Sequence, residues 1–299
     1  MTEQSYTLQV IIGAPAEAVY AALTSPDALQ RWLAEQAAVA LEAGVFEFWG
    51  RYTPDGERGR QRLLAFEPGR GLRFAWSLGG AETVVAITLE PTDGGAGGEA
   101  GGTVLTLTHS GVPPRSSGDA YWVRDLLMMA LANLAGYCEG RGTAPMCDFS
   151  ARPAGEARAT VEIEAAPGQV FASLIEPAQL DRWIATGAEV EPRVGGRYSF
   201  GWDHGPVKIL ELDPDRVLAY SWRHSWDDGD GPDATVVRWE LAGAQGRTYL
   251  TIAHSGFGDD RRPDGYQLGW QEFLASLKRM HEVGPGWQPV RQIEFVSGD

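Results

Sequence analysis

The chain has 299 residues, a formal net charge of −15, 43% hydrophobic residues and 22% charged residues. That length exceeds one ordinary compact domain and suits two, and the composition is that of a folded globular protein. The acidic excess argues against nucleic acid or an anionic membrane as partner. No run approaches the roughly 18 apolar residues of a membrane-spanning helix.

Taken in order, the elements come twice. Alternation at Leu8, Val10 and Ile12, and again at Val161 and Ile163, predicts an opening strand. A helix follows over about Ala16–Ala22 and Gly168–Leu174. A second short helix, started by proline, carries Leu29 and Trp32 in one copy and Leu180 and Trp183 in the other. Period-two strands come next: Phe46 and Phe48 match Tyr198, Phe200 and Trp202; Leu64 and Phe66 match Leu210 and Leu212; Leu72, Phe74 and Trp76 match Leu218, Tyr220 and Trp222. Val85, Ile87 and Leu89 then match Val237, Trp239 and Leu241, and Leu105 and Leu107 match Leu250 and Ile252. Each copy ends on a long helix with one apolar stripe. The stripe is Leu127, Ala130, Leu131, Leu134 and Tyr137 in the first copy, and Trp270, Phe273, Leu274, Leu277 and Met280 in the second.

The repeat is exact in spacing at three places. Val19, Leu23, Pro26, Leu29, Arg31 and Trp32 recur as Val170, Leu174, Pro177, Leu180, Arg182 and Trp183. Pro68, Arg70, Leu72 and Trp76 recur as Pro214, Arg216, Leu218 and Trp222. The strand from Thr103 to His109, Ser110 and Gly111 recurs from Thr248 to His254, Ser255 and Gly256. Two diverged copies of one domain account for this. The reading places a first domain at 1–143, a Gly- and Pro-rich linker at 144–157, a second domain at 158–285 and a tail at 286–299.

The order of elements resembles the helix-grip fold of the SRPBCC (START-like) superfamily: α+β, an antiparallel sheet wrapped around the last helix. The strings at Pro26, Leu29 and Trp32, at Val194-Gly195-Gly196 with Tyr198 and Phe200, at Pro214 to Trp222, at the Thr-His-Ser-Gly strand ends, and at Gly269, Trp270, Leu274 and Leu277 are similar to the family named after the C-terminal domain of the heat-shock-protein-90 ATPase activator. The resemblance implies a tandem pair joined within one chain as a monomeric pseudo-dimer. It says little about activity, because the superfamily hosts carriers, cyclases, receptors and chaperone activators.

His109 and His254 share strand faces with Leu105 and Leu107, and with Leu250 and Ile252, so alternation turns both inward. Each is read either as a ligand-contacting or basic imidazole, or as a ring packed on a tryptophan with its N–H satisfied. The second is the commoner outcome. Ser110 and Ser255 point to the opposite face, which argues against a Ser–His pair. Trp32, Phe48 and Trp76, with Trp183, Phe200, Trp202, Tyr220, Trp222, Trp239 and Trp270, are read as candidate walls of a pocket for an apolar or aromatic ligand. The second copy, richer in rings, is expected to be the better binder.

Arg31 and Arg182 are read as ion-pair formers rather than carboxylate clamps. The acidic run from Asp227 to Asp233 fails the calcium-loop pattern, and the glycines from Gly94 to Gly102 lead into a strand rather than a nucleotide-binding helix. The five histidines show no metal spacing, and no cofactor is expected. A polar start at Met1–Tyr6, and two cysteines, Cys138 and Cys147, without a CxxC spacing, fit the reducing cytoplasm. The leading expectation is a cytoplasmic binding protein enclosing a small apolar or aromatic molecule. The rivals are an enzyme of cyclase, aromatase or hydrolase type using the same cavity, and a chaperone-associated interaction module.

Overall fold

The computed structural model describes residues 4–92, 101–112, 120–151, 155–202, 206–223, 235–258 and 263–296. The chain forms two units, one of residues 1–151 with 288–299 and one of residues 152–287. Among the described residues no helix is long and apolar enough to cross a membrane.

The first unit runs β1 (Gln4–Ile12), α1 (Ala16–Thr24), α2 (Pro26–Trp32), β2 (Gln36–Ala40), β3 (Val45–Trp49), β4 (Gln61–Glu67), β5 (Gly71–Leu78), β6 (Ala81–Pro91), β7 (Thr103–Val112) and α3 (Ala120–Cys138). The second runs β8 (Glu156–Ile163), α4 (Pro167–Ile175), α5 (Pro177–Trp183), β9 (Glu189–Val190), β10 (Arg197–Ser199), β11 (Val207–Asp213), β12 (Val217–Trp222), β13 (Thr235–Ala244), β14 (Arg247–Ser255) and α6 (Asp264–Val283). The second unit's sheet has the order β8-β14-β13-β12-β11-β10-β9, antiparallel throughout. In the first unit β1-β7-β6-β5-β4 follow the same order, with β2 and β3 as a separate hairpin.

Local chemistry explains the boundaries. Proline at the first turn of α2 and of α5 suits a position whose N–H has no helical partner, and the Ser25 side chain accepts from the Ala28 N–H in front of α2. Three polar pins then recur in both copies. The indole of Trp32 donates to the Ala22 carbonyl (3.1 Å) and that of Trp183 to the Ser173 carbonyl (2.9 Å). Thr103 and Thr248 donate to the Ala14 and Ala165 carbonyls, each at 2.7 Å. Glu139 and Glu282, at the ends of α3 and α6, accept from the backbone N–H of Gly13 and Glu164. This last pair was open to detection, since each glutamate stands at the same spacing after Leu127 or Trp270.

Four features depart from the sequence reading. Leu64 and Leu210, expected inward, are 38% and 46% exposed. Both sit at register shifts, between Leu63 and Ala65 and between Ile209 and Glu211. Such a bulge adds one residue to one strand and flips the parity beyond it, so Val207 and Ile209 are the buried residues of β11. Trp202, expected on an apolar face, is 45% exposed. The cause is Gly201, whose φ of 82° turns the chain after β10 and whose Cβ would lie 1.9 Å from the Thr186 carbonyl oxygen.

The Gly- and Pro-rich seam is held rather than loose where it leaves the first unit. Asn133 on α3 accepts from the Ala144 N–H (2.8 Å) and donates to its carbonyl (3.1 Å). A Cβ at Gly136 would meet the Gly142 carbonyl oxygen at 2.4 Å, so only glycine lets the segment lie this close. Further on, the Phe149 N–H donates to the Arg51 carbonyl at 2.7 Å. Asn133→Ala is expected to destabilise the first unit by about 2–3 kcal/mol, because it leaves two buried backbone groups unpaired. A denaturation midpoint equal to that of the parent would contradict this.

The stretch read as a tail holds a strand, β15 (Arg291–Val296), which pairs antiparallel with β1 and becomes the edge of the first unit's sheet. Alternation in Arg291–Val296 is too short and too polar to stand out in the sequence. Ile293 and Phe295 remain about half exposed on it, at 52% and 53%.

Candidate functional site

The first unit contains a cavity of about 30 Å³ between its helices and its sheet. Its walls come from four directions. Leu23, Leu29, Trp32 and Leu33 come from the two short helices and the residue after them. Phe46 and Phe48 come from β3. Phe74, Val85, Ile87 and Leu107 come from β5, β6 and β7. Leu127, Ala130 and Leu131 come from α3. Every wall residue is apolar, and the one ring N–H among them, on Trp32, is already donated to Ala22. A water needs about 10–15 Å³ and several polar partners. This space is larger than that and offers no such partner, so it favours an apolar occupant.

Three of the wall positions carry rings in the other copy. Where the first unit has Leu127, Ala130 and Ile87, the second has Trp270, Phe273 and Trp239. Register supports the match: Ile87 pairs with Leu107 as Trp239 pairs with Ile252. In the second unit these rings pack on one another. Trp270 lies 5.3 Å from Trp222, 5.7 Å from Trp239 and 6.1 Å from Phe273, centroid to centroid. Tyr198 stacks on Tyr220 at 4.4 Å, and Trp239 donates its N–H to the Tyr220 hydroxyl. Trp183 meets Trp239 edge to face, Phe200 stacks with Trp202, and the Trp202 N–H is donated to the Ile184 carbonyl. Among the described residues these rings of the second unit pack on one another, and an apolar cavity is described in the first.

Of the residues singled out in the sequence, Trp32 and Phe48 therefore line the cavity. Trp76 stands behind Phe48, edge to face at 5.2 Å, and stacks on His109. Arg182 is exposed and donates to Gln179. His204, His224, the acidic run at 227–233 and the glycine-rich residues 94–100 lie outside the described residues.

The two histidines are fully buried and point inward, as alternation requires. Their hydrogen bonds fix their protonation. Thr83 donates its hydroxyl hydrogen to the Trp76 carbonyl (2.9 Å), so its oxygen accepts from His109 Nε2–H at 2.8 Å. The unprotonated Nδ1 then accepts from the Tyr6 hydroxyl, also at 2.8 Å. In the second unit the indole of Trp270, which can only donate, gives its N–H to His254 Nδ1 at 3.1 Å. His254 Nε2–H therefore donates to Thr235 at 2.7 Å. Both rings are the same neutral tautomer. The donor to Nδ1 has changed place: Tyr6 on the neighbouring strand in one copy, Trp270 on the closing helix in the other. Ala157 stands opposite His254 where Tyr6 stands opposite His109. In both copies this is the satisfied, packed imidazole rather than a poised base. His281 is a third held ring, its Nε2 bonded to Ser173 Oγ at 3.0 Å. Burial, helped by Arg182, lowers its pKa to about 4.

Burial lowers the His109 pKa to about 3. The unfolded chain takes up this proton near pH 6.5, whereas the folded one resists it to about pH 3. The first unit is therefore expected to lose about 1.4 kcal/mol per pH unit through this group as pH falls between those limits. Denaturation of the parent and of His109→Gln at pH 7 and pH 5 tests this. The variant should be the less stable at pH 7 and show the shallower pH dependence. Parallel pH profiles would contradict it.

An antiparallel sheet closing on a long C-terminal helix, present twice, defines a tandem helix-grip protein of the SRPBCC superfamily. Residues 13–139 and 164–282 match the family described as activator of Hsp90 ATPase homolog 1-like protein, and the chain belongs to that family. Among solved structures, protein MLL2253 from Mesorhizobium loti is 26% identical, over 42% of this chain and 97% of that one, with a TM-score of 0.37. The Aha1 dimer from Colwellia psychrerythraea is 21% identical, over 44% and 98%, with a TM-score of 0.38. An HSP90 activator from Plasmodium falciparum is 18% identical, over 44% and 96%, with a TM-score of 0.36. No curated protein matches the chain.

Proposed function

We propose that the protein is a cytoplasmic, monomeric binding protein whose first unit encloses a small apolar molecule. The carrying observation is the cavity between α2, α3 and the sheet, walled entirely by apolar side chains. Burying each CH₂ of an occupant there is worth about 0.8 kcal/mol. The walls place no hydrogen-bonding demand on it. The two cysteines, Cys138 and Cys147, stand without a CxxC spacing, in keeping with a reducing cytoplasm. The enzyme reading lacks comparable support, since His109 and His254 are buried, neutral and bonded through both nitrogens. Methyl NMR of the full chain, titrated with small hydrocarbons, tests the proposal. Saturable shifts at Leu107, Leu127 and Leu131 are expected. Absence of saturable binding by any hydrocarbon would overturn it.

A second reading, of interaction with a chaperone, is favoured by the family description and by the exposed Ile293, Phe295 and Val296 on edge strand β15. Stimulation of an Hsp90-type ATPase by the full chain, lost on removal of residues 288–299, would support it. Equal ATPase rates with and without the protein would reject it.

A further inference from the structure

We infer that the outer edge of β1 is a strand-accepting surface for a second copy of this chain, and that the chain's own C-terminal strand, β15, covers it and keeps the protein monomeric. Duplication supplies the comparison. In the second unit β8 is the last strand of its sheet among the described residues, whereas its counterpart β1 has β15 beyond it. Register fixes the match, since Tyr6 stands opposite His109 as Ala157 stands opposite His254. The outward positions of the two strands then differ in kind. Glu156, Arg158, Thr160 and Glu162 on β8 correspond to Ser5, Thr7, Gln9 and Ile11 on β1. Charged side chains on an edge strand discourage pairing with another chain, because pairing would strip them of water. Strand β8 carries three such charges and β1 carries none.

Strand β15 supplies the missing protection. Its Glu294 stands opposite Thr7 and its Arg291 opposite Gln9, so both charges take the outward face. Between them the register shifts: Glu294 faces Thr7 and Gln292 faces Leu8, which leaves Ile293 as an extra residue. A bulge of this kind bends an edge away from a further strand. The grip on β1 comes mainly from the backbone ladder. All six residues of β15 are exposed. Among the described residues its side-chain ties to the unit, Thr7 to Glu294 and Arg124 to Gln292, are each 3.4 Å long. Strand β15 is therefore a cover on the sheet edge rather than part of the core. Without it, β1 offers nine residues for pairing with β1 of a second copy. A two-fold antiparallel pair centred on Leu8 sets Gln9 against Thr7 and Ile11 against Ser5, with no like charges opposed.

Sedimentation velocity over a concentration series tests this on the full chain and on a chain ending at Trp287, which is buried and completes the second unit. The full chain should keep the mass of one copy throughout. The shortened chain should reach about twice that mass as concentration rises, with its far-ultraviolet circular dichroism nearly unchanged. Adding Thr7→Arg and Ile11→Glu, which copy Arg158 and Glu162, should return it to one copy. Should the shortened chain not fold, Glu294→Pro with Phe295→Pro in the full chain serves instead. Adjacent strand residues turn their N–H groups to opposite sides, so one of the two prolines removes a bond to β1. A folded variant of either kind that stays at one copy would overturn the inference. So would association that survives the two added charges, because the contact would then lie elsewhere, or a full chain that associates as strongly as the shortened one. Loss of the first unit's fold in both variants would also overturn it, since β15 would then belong to the core.

Discussion

Trp270→Ala is expected to unfold most of the second unit's core. The side chain is 3% exposed and packs against Trp222, Trp239 and Phe273. Truncating such a tryptophan costs about 3–5 kcal/mol. It also removes the N–H donated to His254 Nδ1, worth about 1 kcal/mol more. The sum is a large part of the roughly 5–15 kcal/mol that a domain has in total. Trp270→Phe separates the two contributions, keeping a ring in the cluster while losing the donor, so it should cost clearly less. Denaturation of the full chain, followed through the second unit's tryptophans, reads both. A change below about 2 kcal/mol for the alanine variant would mean that the cluster is not what holds α6 on its sheet.

The second large effect concerns the exchanged hydrogen-bond donor. Tyr6→Ala should cost the first unit about 3–5 kcal/mol by opening a space beside His109. It also leaves Nδ1 without the hydroxyl that now reaches it at 2.8 Å. Leu127→Trp alone brings a second donor to a nitrogen that accepts one, and should cost about 1–3 kcal/mol by overpacking. The double variant reproduces the second unit, with Ala157 and Trp270 as its precedents. It should therefore be at least about 2 kcal/mol more stable than the sum of the single effects implies. The same double variant should lose hydrocarbon binding, because the new indole occupies the cavity. Strict additivity of the two substitutions would show that the copies do not solve the histidine's hydrogen bonding in interchangeable ways.

Much of this architecture is written in local pattern. The duplication is readable because identical spacings survive at Leu29 and Trp32, and at Leu180 and Trp183, where an indole must reach a carbonyl one helix away. The inward parity of His109 and His254 follows from strict alternation in β7 and β14, which are regular beside β6 and β13. Parity fails at Leu64 and Leu210 because a bulge leaves no mark in residue type. Strand β15 is hidden because its partner, β1, lies at the other end of the chain. The cavity of the first unit is hidden for a different reason. A count of rings measures how apolar an interior is, whereas a cavity depends on volume left over. Ile87, Leu127 and Ala130 line the first unit's cavity where the second unit has the rings of Trp239, Trp270 and Phe273.

The proposal that the first unit holds an apolar cavity can be tested by one experiment: diffraction from crystals of the full chain held under xenon pressure. Xenon is apolar, needs no hydrogen bond and enters dry cavities. The account predicts a xenon site bounded by Trp32, Phe48, Ile87, Leu127 and Ala130, filled at lower pressure than any site within the second unit. An empty space at those residues, with xenon seated among Trp222, Trp239 and Trp270 instead, would contradict it.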